Sequence, residues 1–485
     1  MTARAVMVLG TTSGAGKSWL TTALCRWYAR RGLKVAPFKA QNMSNNARVV
    51  PGLAGRMGEI GSAQYFQALA ARNPPEVHMN PVLLKPESDT SSQVVVLGQV
   101  HEDLARVPWR QRSELLWPHA RDALRVLMDG NDVVVIEGAG SPAEINLHAS
   151  DYVNMRTALE ARAACLLVTD IDRGGAFAHL YGTHQLLPES ERALLRGFVL
   201  NRFRGDAALL SPGPERLRDL TGVPTLAVLP MWRGHGLPEE DGVFDDAPSG
   251  GRDALRIAVV AYPRISNLDE FQPLRQIAGV RLEWARERSH LGGVDWVILP
   301  GSKHTGADLA WLRERGLDAA ITAHAAAGRP VLGICGGLQM LGDLLRDPYG
   351  IDANASGLGV LPLVTVFEQE KLLRSTEATF AATIGPWSRL SGVRVRGYEI
   401  RHGRTSFGDS AKQASVALRN DEEVAIGWQK GSVLGIYLHG LFESPEVLNA
   451  LFATGARTMD SVFDGLSDFV DRHFEAGALA GLIEE

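Results

Sequence analysis

Cysteine is scarce in this 485-residue chain: only Cys25, Cys165 and Cys335 occur, far apart from one another. That spacing offers no disulfide framework and no zinc-ligand pair, and it suits a reducing cytoplasm. No apolar run approaches the length of a membrane span, and no basic segment followed by an apolar core opens the chain, so neither export nor membrane insertion is expected. Excess charge of one sign is missing too. A formal net charge of −5 gives no footprint for nucleic acid or an anionic membrane. Internal repeats and low-complexity tracts are absent. What remains, 45% hydrophobic and 22% charged, is the composition of a globular protein too long for one ordinary core, so two or three domains are expected.

Nearly continuous apolar runs at 6–9, 34–38, 133–137, 165–169, 197–201 and 223–230 alternate with helical patterns such as 115–128. Strands of that kind are covered on both faces, which means a parallel sheet between helices. The polar, Pro/Gly-rich stretch 242–252 reads as a linker. A second alternation follows at 255–261, 294–299 and 330–334, then strand-rich segments to 439, and the region from 445 to 483 has a helical pattern. The expected division is a first domain over 1–245, a second over 253–447, and a helical tail over 448–485 packed on the second domain.

Three stretches carry chemistry. An apolar strand runs into Gly10-Thr11-Thr12-Ser13-Gly14-Ala15-Gly16-Lys17-Ser18, and a helix follows. Strand, glycine loop, Lys-Ser and helix make a phosphate cradle: backbone N–H groups surround the phosphates of ATP, Lys17 reaches the terminal ones, and Ser18 can bind Mg²⁺. The usual spacing has glycine at position 11, but Thr11 stands there and Gly10 comes one residue early. The strand 133–137 ends on Glu137, the acid expected to reach the same Mg²⁺. Further on, Val331-Leu332-Gly333-Ile334-Cys335-Gly336-Gly337 is a strand ending on a cysteine at a glycine turn with a helix behind it. This is a nucleophile elbow, whose helix N-terminus favours thiolate and oxyanion. The strand at 435–438 delivers His439 as general base. Gly336 N–H and Gly301 N–H, the latter in the turn after the strand 294–299, are the expected oxyanion donors. Polar side chains after other strands, namely Lys39, Gln41 and Asn42 with Asp170, Asp172 and Arg173, lie on the edge where open α/β sheets bind ligands and are candidate substrate contacts.

A thiol nucleophile and a nucleotide cradle in one chain point to glutamine-dependent amidation. The ordered segments Phe38-Lys39-Ala40-Gln41-Asn42-Met43, Glu137 to Leu147, Asp170-Ile171-Asp172-Arg173-Gly174-Gly175, Leu299 to Lys303, Gly333 to Gly337, Gly397-Tyr398-Glu399-Ile400 and Tyr437 to Phe442 closely resemble the cobyric acid synthase family. The resemblance implies an α/β chain in two parts: a dethiobiotin synthetase-like P-loop NTPase domain, then a flavodoxin-like class I, triad-type glutamine amidotransferase domain. It accounts for the offset glycine. It also implies four ATP- and glutamine-dependent amidations, at carboxylates b, d, e and g of adenosylcobyrinic acid a,c-diamide, through acyl phosphates. The implied partners are this corrinoid and L-glutamine, with no nucleic acid and no membrane; a homo-oligomer stays open.

The chain departs from its relatives' patterns in places. Many class I glutaminases have Glu two residues after the histidine, where this chain has Leu441, so a Cys-His pair is assigned with its third member open; Glu443 is near only in sequence. Leu338 replaces a common Tyr, His304 a common Asn, and Ser62 a usual Arg. Competing readings are cobyrinic acid a,c-diamide synthase, another ligase of this architecture acting on a different carboxylate, and a partitioning ATPase. The segments at 39–43 and 137–141 do not match the diamide synthase pattern, and a partitioning ATPase needs no glutaminase.

Overall fold

The computed structural model describes residues 3–87, 91–238, 254–408, 414–453 and 457–484. The expected linker at 242–252 and the boundaries on either side of it lie outside the described residues.

The first domain is built on a six-stranded, all-parallel sheet. Its order across the sheet is Thr225–Pro230, Leu195–Phe203, Ala164–Asp170, Arg4–Gly10, Val133–Glu137, Val35–Phe38. Every strand anticipated from an apolar run is present, because burial on both faces leaves no room for polar alternation. The strand feeding the glycine loop sits in the middle, and Glu137 lies beside Val8 in the register of its neighbour. Position at the sheet's carboxyl edge therefore follows from pairing alone. Two smaller units project from this domain. One is a four-stranded sheet containing Gln41–Met43, Val82–Pro86, Ser92–Val96 and Gln99–Val100, and the other is the hairpin Ala47–Pro51 with Met57–Gly61. Of the polar residues that follow the strand Val35–Phe38, Gln41 and Asn42 are thus themselves in a strand.

The second domain carries an eleven-stranded mixed sheet. Five of its strands are parallel, in the order Val280–Ala285, Leu255–Val260, Trp296–Leu299, Val331–Ile334, Val433–Ile436. Antiparallel strands continue from Ala425–Lys430 to the long pair Leu363–Phe380 and Arg394–Phe407. Three adjacent parallel strands end at Leu299, Ile334 and Ile436, just before Gly301, Cys335 and His439, so the topology brings these residues to one edge.

The tail departs from expectation. The helix Pro445–Phe452 stays with the second domain, where Phe452 packs on Trp296. The helices Met459–His473 and Ala478–Glu484 instead return to the first domain. Val462, Phe463, Leu466, Phe469 and Val470 form one apolar stripe that joins the core with Leu20, Ala23 and Trp27 of the helix Lys17–Ala29. Asp464, Asp468 and Asp471 flank the stripe and pair with Arg26, Arg30 and Arg31 at 2.7, 2.5 and 2.9 Å. The partner was chosen by this match of stripe and charge, which adjacency in sequence does not reveal.

Candidate active sites

At the first site, Gly16 has φ +100°, and a Cβ there would run into the Asn201 amide, which itself donates to the Ala15 carbonyl at 2.9 Å. Only glycine fits. Gly10 has a similar role: a Cβ would lie 3.0 Å from the Lys17 side chain. Thr11, standing where glycine is usual, meets Thr169 hydroxyl to hydroxyl at 2.9 Å and ties the loop to the next strand. The offset glycine thus leaves space for Lys17, while the threonine anchors the loop. Lys17 is buried and its ammonium donates to the carbonyls of Thr12, Ser13 and Gly140 at 2.9, 3.2 and 3.2 Å, across the loop mouth.

Glu137 is 1% exposed. Its Oε1 accepts from Ser18 Oγ at 2.8 Å and from Lys39 Nζ at 2.8 Å, and its Oε2 from Gln67 Nε2 at 2.6 Å. Burial pushes this carboxyl up, but Lys39, Gln67 and Ser18 together outweigh burial and hold it below the usual carboxylate range. The Ser18 and Glu137 oxygens, 2.8 Å apart, match the edge of a magnesium octahedron, about 2.9 Å for bonds near 2.05 Å. One hydroxyl and one carboxylate fit Mg²⁺ when phosphates and water complete the shell.

The six candidate substrate residues fall into different surroundings. Lys39 is on Glu137; Gln41 accepts from the Tyr152 hydroxyl at 2.8 Å; Asn42 donates to Gln64 at 3.0 Å. These three are buried. Asp170 pairs with Arg202 at 3.0 Å and Arg173 at 3.4 Å, and Asp172 with Arg204. Arg173 is mostly exposed and reaches over the phosphate loop, 3.6 Å from where a Cβ on Gly14 would be. Ser62 starts the helix Ser62–Ala70 and is buried.

At the second site, Cys335 sits at φ +51°, ψ −104°, a strained conformation for a non-glycine residue. Its neighbours allow the sharp turn: a Cβ on Gly336 would be 2.7 Å from Ser302 N, and one on Gly337 would collide with the Leu299 carbonyl. Cys335 Sγ lies 3.6 Å from the Ile400 carbonyl and contacts the His439 ring. Gly301 borders the same ring, since a Cβ on it would be 2.9 Å from His439 Cε1. Cys335, His439, Gly301 and Gly336 are therefore brought together. Leu338 is core beneath Gly435, and His304 stands at the start of the helix Thr305–Glu314 and pairs with Asp352 at 2.9 Å. His402 is bonded to the Glu368 carbonyl at 3.0 Å.

The third member is Glu270, which the sequence did not single out. Fully buried, it faces His439 Nδ1 at 3.2 Å through Oε1 and accepts the Gly440 N–H at 3.1 Å through Oε2. Burial lowers the proton affinity of His439, but Glu270 and Cys335 outweigh it and lift the imidazole to about 10. Burial also raises Glu270, partly offset by His439. Tyr398 stacks on the His439 ring at 5.4 Å, and its carbonyl accepts the His439 N–H at 2.9 Å. A Cβ on Gly397 would collide with the His439 carbonyl. The segment 397–400 is thus the platform of the histidine. Its signal was legible, whereas Glu270 stands 169 residues from its partner behind an unremarkable polar turn. The other two thiols are buried in the first domain, where burial pushes Cys165 up to about 12 and Cys25 higher still.

A phosphate cradle with an adjacent acid and a Cys-His-Glu elbow in a second domain define the class: a glutamine amidotransferase joined to a P-loop nucleotide-binding domain. Comparison with known proteins agrees. Residues 6–233 match the CobQ/CobB/MinD/ParA nucleotide binding domain and residues 256–447 the CobB/CobQ-like glutamine amidotransferase domain. The chain is 73% identical to a cobyric acid synthase of Methylibium petroleiphilum, with 100% of this chain and 97% of the relative covered. It is 70% identical to one of Leptothrix cholodnii (99% and 97% covered) and 66% identical to one of Variovorax paradoxus (100% of both). The chain belongs to the cobyric acid synthase family.

Proposed function

We propose that the chain converts adenosylcobyrinic acid a,c-diamide to adenosylcobyric acid in the cytoplasm, amidating carboxylates b, d, e and g with ATP and glutamine. The observation that carries this reading is the co-occurrence of the Ser18–Glu137 cradle and the Cys335–His439–Glu270 elbow in a chain that matches cobyric acid synthases over its whole length.

In the second domain the Cys335 sulfur attacks the side-chain carbonyl of glutamine. The oxyanion is received by the N–H groups of Gly301 and Gly336. His439, whose imidazole holds its proton at neutral pH, gives it to the departing nitrogen, and ammonia leaves. The thioester is then cleared by water, which returns a proton to His439 as glutamate departs. Glu270 keeps Nδ1 fixed and offsets the imidazolium charge.

In the first domain a substrate carboxylate attacks the terminal phosphorus of ATP, and ADP leaves. Ammonia adds to the acyl phosphate, and inorganic phosphate departs with the C–O bond. The carboxylate is a poor electrophile until it carries that leaving group. Lys17 and the loop N–H groups face the transferring phosphoryl group. Ser18 and Glu137 would hold a Mg²⁺ that neutralises phosphate oxygens, and Lys39 would keep Glu137 ionised. Among the described residues no helix is long and apolar enough to cross a membrane.

Mass spectrometry of the corrinoid after incubation with ATP, Mg²⁺ and glutamine tests the reading. The a,c-diamide should progress through four carboxylate-to-amide conversions. Turnover of cobyrinic acid to its diamide, with the a,c-diamide left untouched, would identify the diamide synthase instead.

A further inference from the structure

The strand Ala47–Pro51 belongs to the first domain, where it pairs with Met57–Gly61, but its Arg48 meets the second domain at Asp269 and Glu443. Arg48 on this strand is 1% exposed. Its guanidinium donates to both oxygens of Glu443, at 3.0 and 2.6 Å, and to Asp269. The rings of Tyr65, Phe66 and Tyr398 surround it at 5.2, 4.9 and 5.1 Å. Asp269 directly precedes Glu270, Glu443 follows His439 by four residues, and Tyr398 is the ring stacked on His439.

The neighbours of Arg48 reinforce the contact. Asn46 Oδ1 accepts the Leu268 N–H at 2.9 Å. The Ala47 carbonyl accepts from Asn267 Nδ2 at 2.8 Å, and the same amide donates to the Tyr398 hydroxyl at 2.7 Å. Residues 46–48 therefore hold all three residues of the turn 267–269 that leads into Glu270. That turn starts at Asn267 with φ +58°, a left-handed conformation that asparagine tolerates. A bidentate guanidinium fixes direction as well as distance.

We propose that Arg48 is a positioning residue of the glutaminase supplied by the synthetase domain: it clamps Asp269 and Glu443, thereby fixing Glu270 against His439. Release of ammonia in the second domain then depends on a side chain of the domain that consumes it. The inference rests on the glutaminase reading of Cys335, His439 and Glu270. Loss of glutamine hydrolysis in Cys335→Ala tests that reading separately.

The test uses the full-length chain, with glutamate release measured from glutamine and corrinoid amidation measured with glutamine or ammonium as nitrogen source. In Arg48→Met, kcat for glutamine should fall about 10²-fold, the scale of a 1 Å misplacement, with KM for glutamine within about threefold. Ammonium-dependent amidation should stay within about twofold of the parent, and Arg48→Lys should recover part of the glutamine-dependent rate. Unchanged glutamine hydrolysis, or equal loss with both nitrogen sources in a folded variant, would overturn the proposal. If Arg48→Met does not fold, Glu443→Gln gives the deciding reading, because it removes only the partly exposed partner of the clamp. A selective loss of glutamine use supports the proposal there, and an equal loss or none overturns it.

Discussion

Glu270 shows how far a positioning residue is identified by space rather than by sequence. Cys335 announces itself by flanking glycines and His439 by the strand that delivers it, because both depend on chain geometry within a few residues. Glu270 depends on a fold that returns a turn to the far side of the sheet edge, and Glu443, closer in sequence to the histidine, is committed to Arg48. The assigned role has a pH signature. Glu270 and Cys335 hold the His439 imidazole at about 10, against the pull of burial, and burial lifts Glu270 itself. Glutamine hydrolysis in the parent should therefore weaken in acid, as Glu270 takes a proton at a pH above the ordinary carboxylate range, and should persist on the alkaline side toward pH 10. Glu270→Gln removes the charge that lifts His439 while burial remains, so the alkaline limb should move to lower pH. The rate at its optimum should fall by about 10²–10⁴-fold. A pH profile of kcat/KM for glutamine checks both; an alkaline limb that stays in place would remove Glu270 from the mechanism.

At the scale of elements, the parallel strands were readable because a strand buried on both faces is apolar throughout. The strands Gln41–Met43 and Ala47–Pro51 were not, being short and interrupted by polar residues, Gln41 and Asn42 in the first and Arg48 in the second. Their amides resemble ligand-binding loops, yet Gln41 and Asn42 are used inside the protein. The tail helix was readable as amphipathic but not as to its partner. The pairs of Arg30 with Asp468 and Arg31 with Asp471 are exposed on both sides, and such pairs contribute at most about 1 kcal/mol each. Burial of the stripe is the larger effect. Leu466→Ala, at a fully buried position, should cost about 2–5 kcal/mol. Because the stripe completes the core behind the phosphate loop, heat should inactivate ammonium-dependent amidation of this variant before glutamine hydrolysis. Thermal inactivation curves for the two activities decide the matter; earlier loss of the glutaminase would return the tail to the second domain.

At the scale of the molecule, two sheets each present a reactive edge, and one hairpin with the helix that follows it touches both sites. Its strand Ala47–Pro51 holds the turn before Glu270, and the helix after it, Ser62–Ala70, places Gln67 on Glu137 at 2.6 Å. The two domains were visible in the sequence as two alternations, but this bridge was not, since it rests on single side chains meeting across 395 residues in the case of Arg48 and Glu443. The central claim is that the first domain activates a carboxylate as an acyl phosphate and the second only supplies ammonia. The most direct measurement follows oxygen. With substrate carboxylates labelled by ¹⁸O, each amide formed should release one phosphate carrying a single ¹⁸O, with glutamine or with ammonium alike. Amidated product accompanied by unlabelled phosphate would contradict the account.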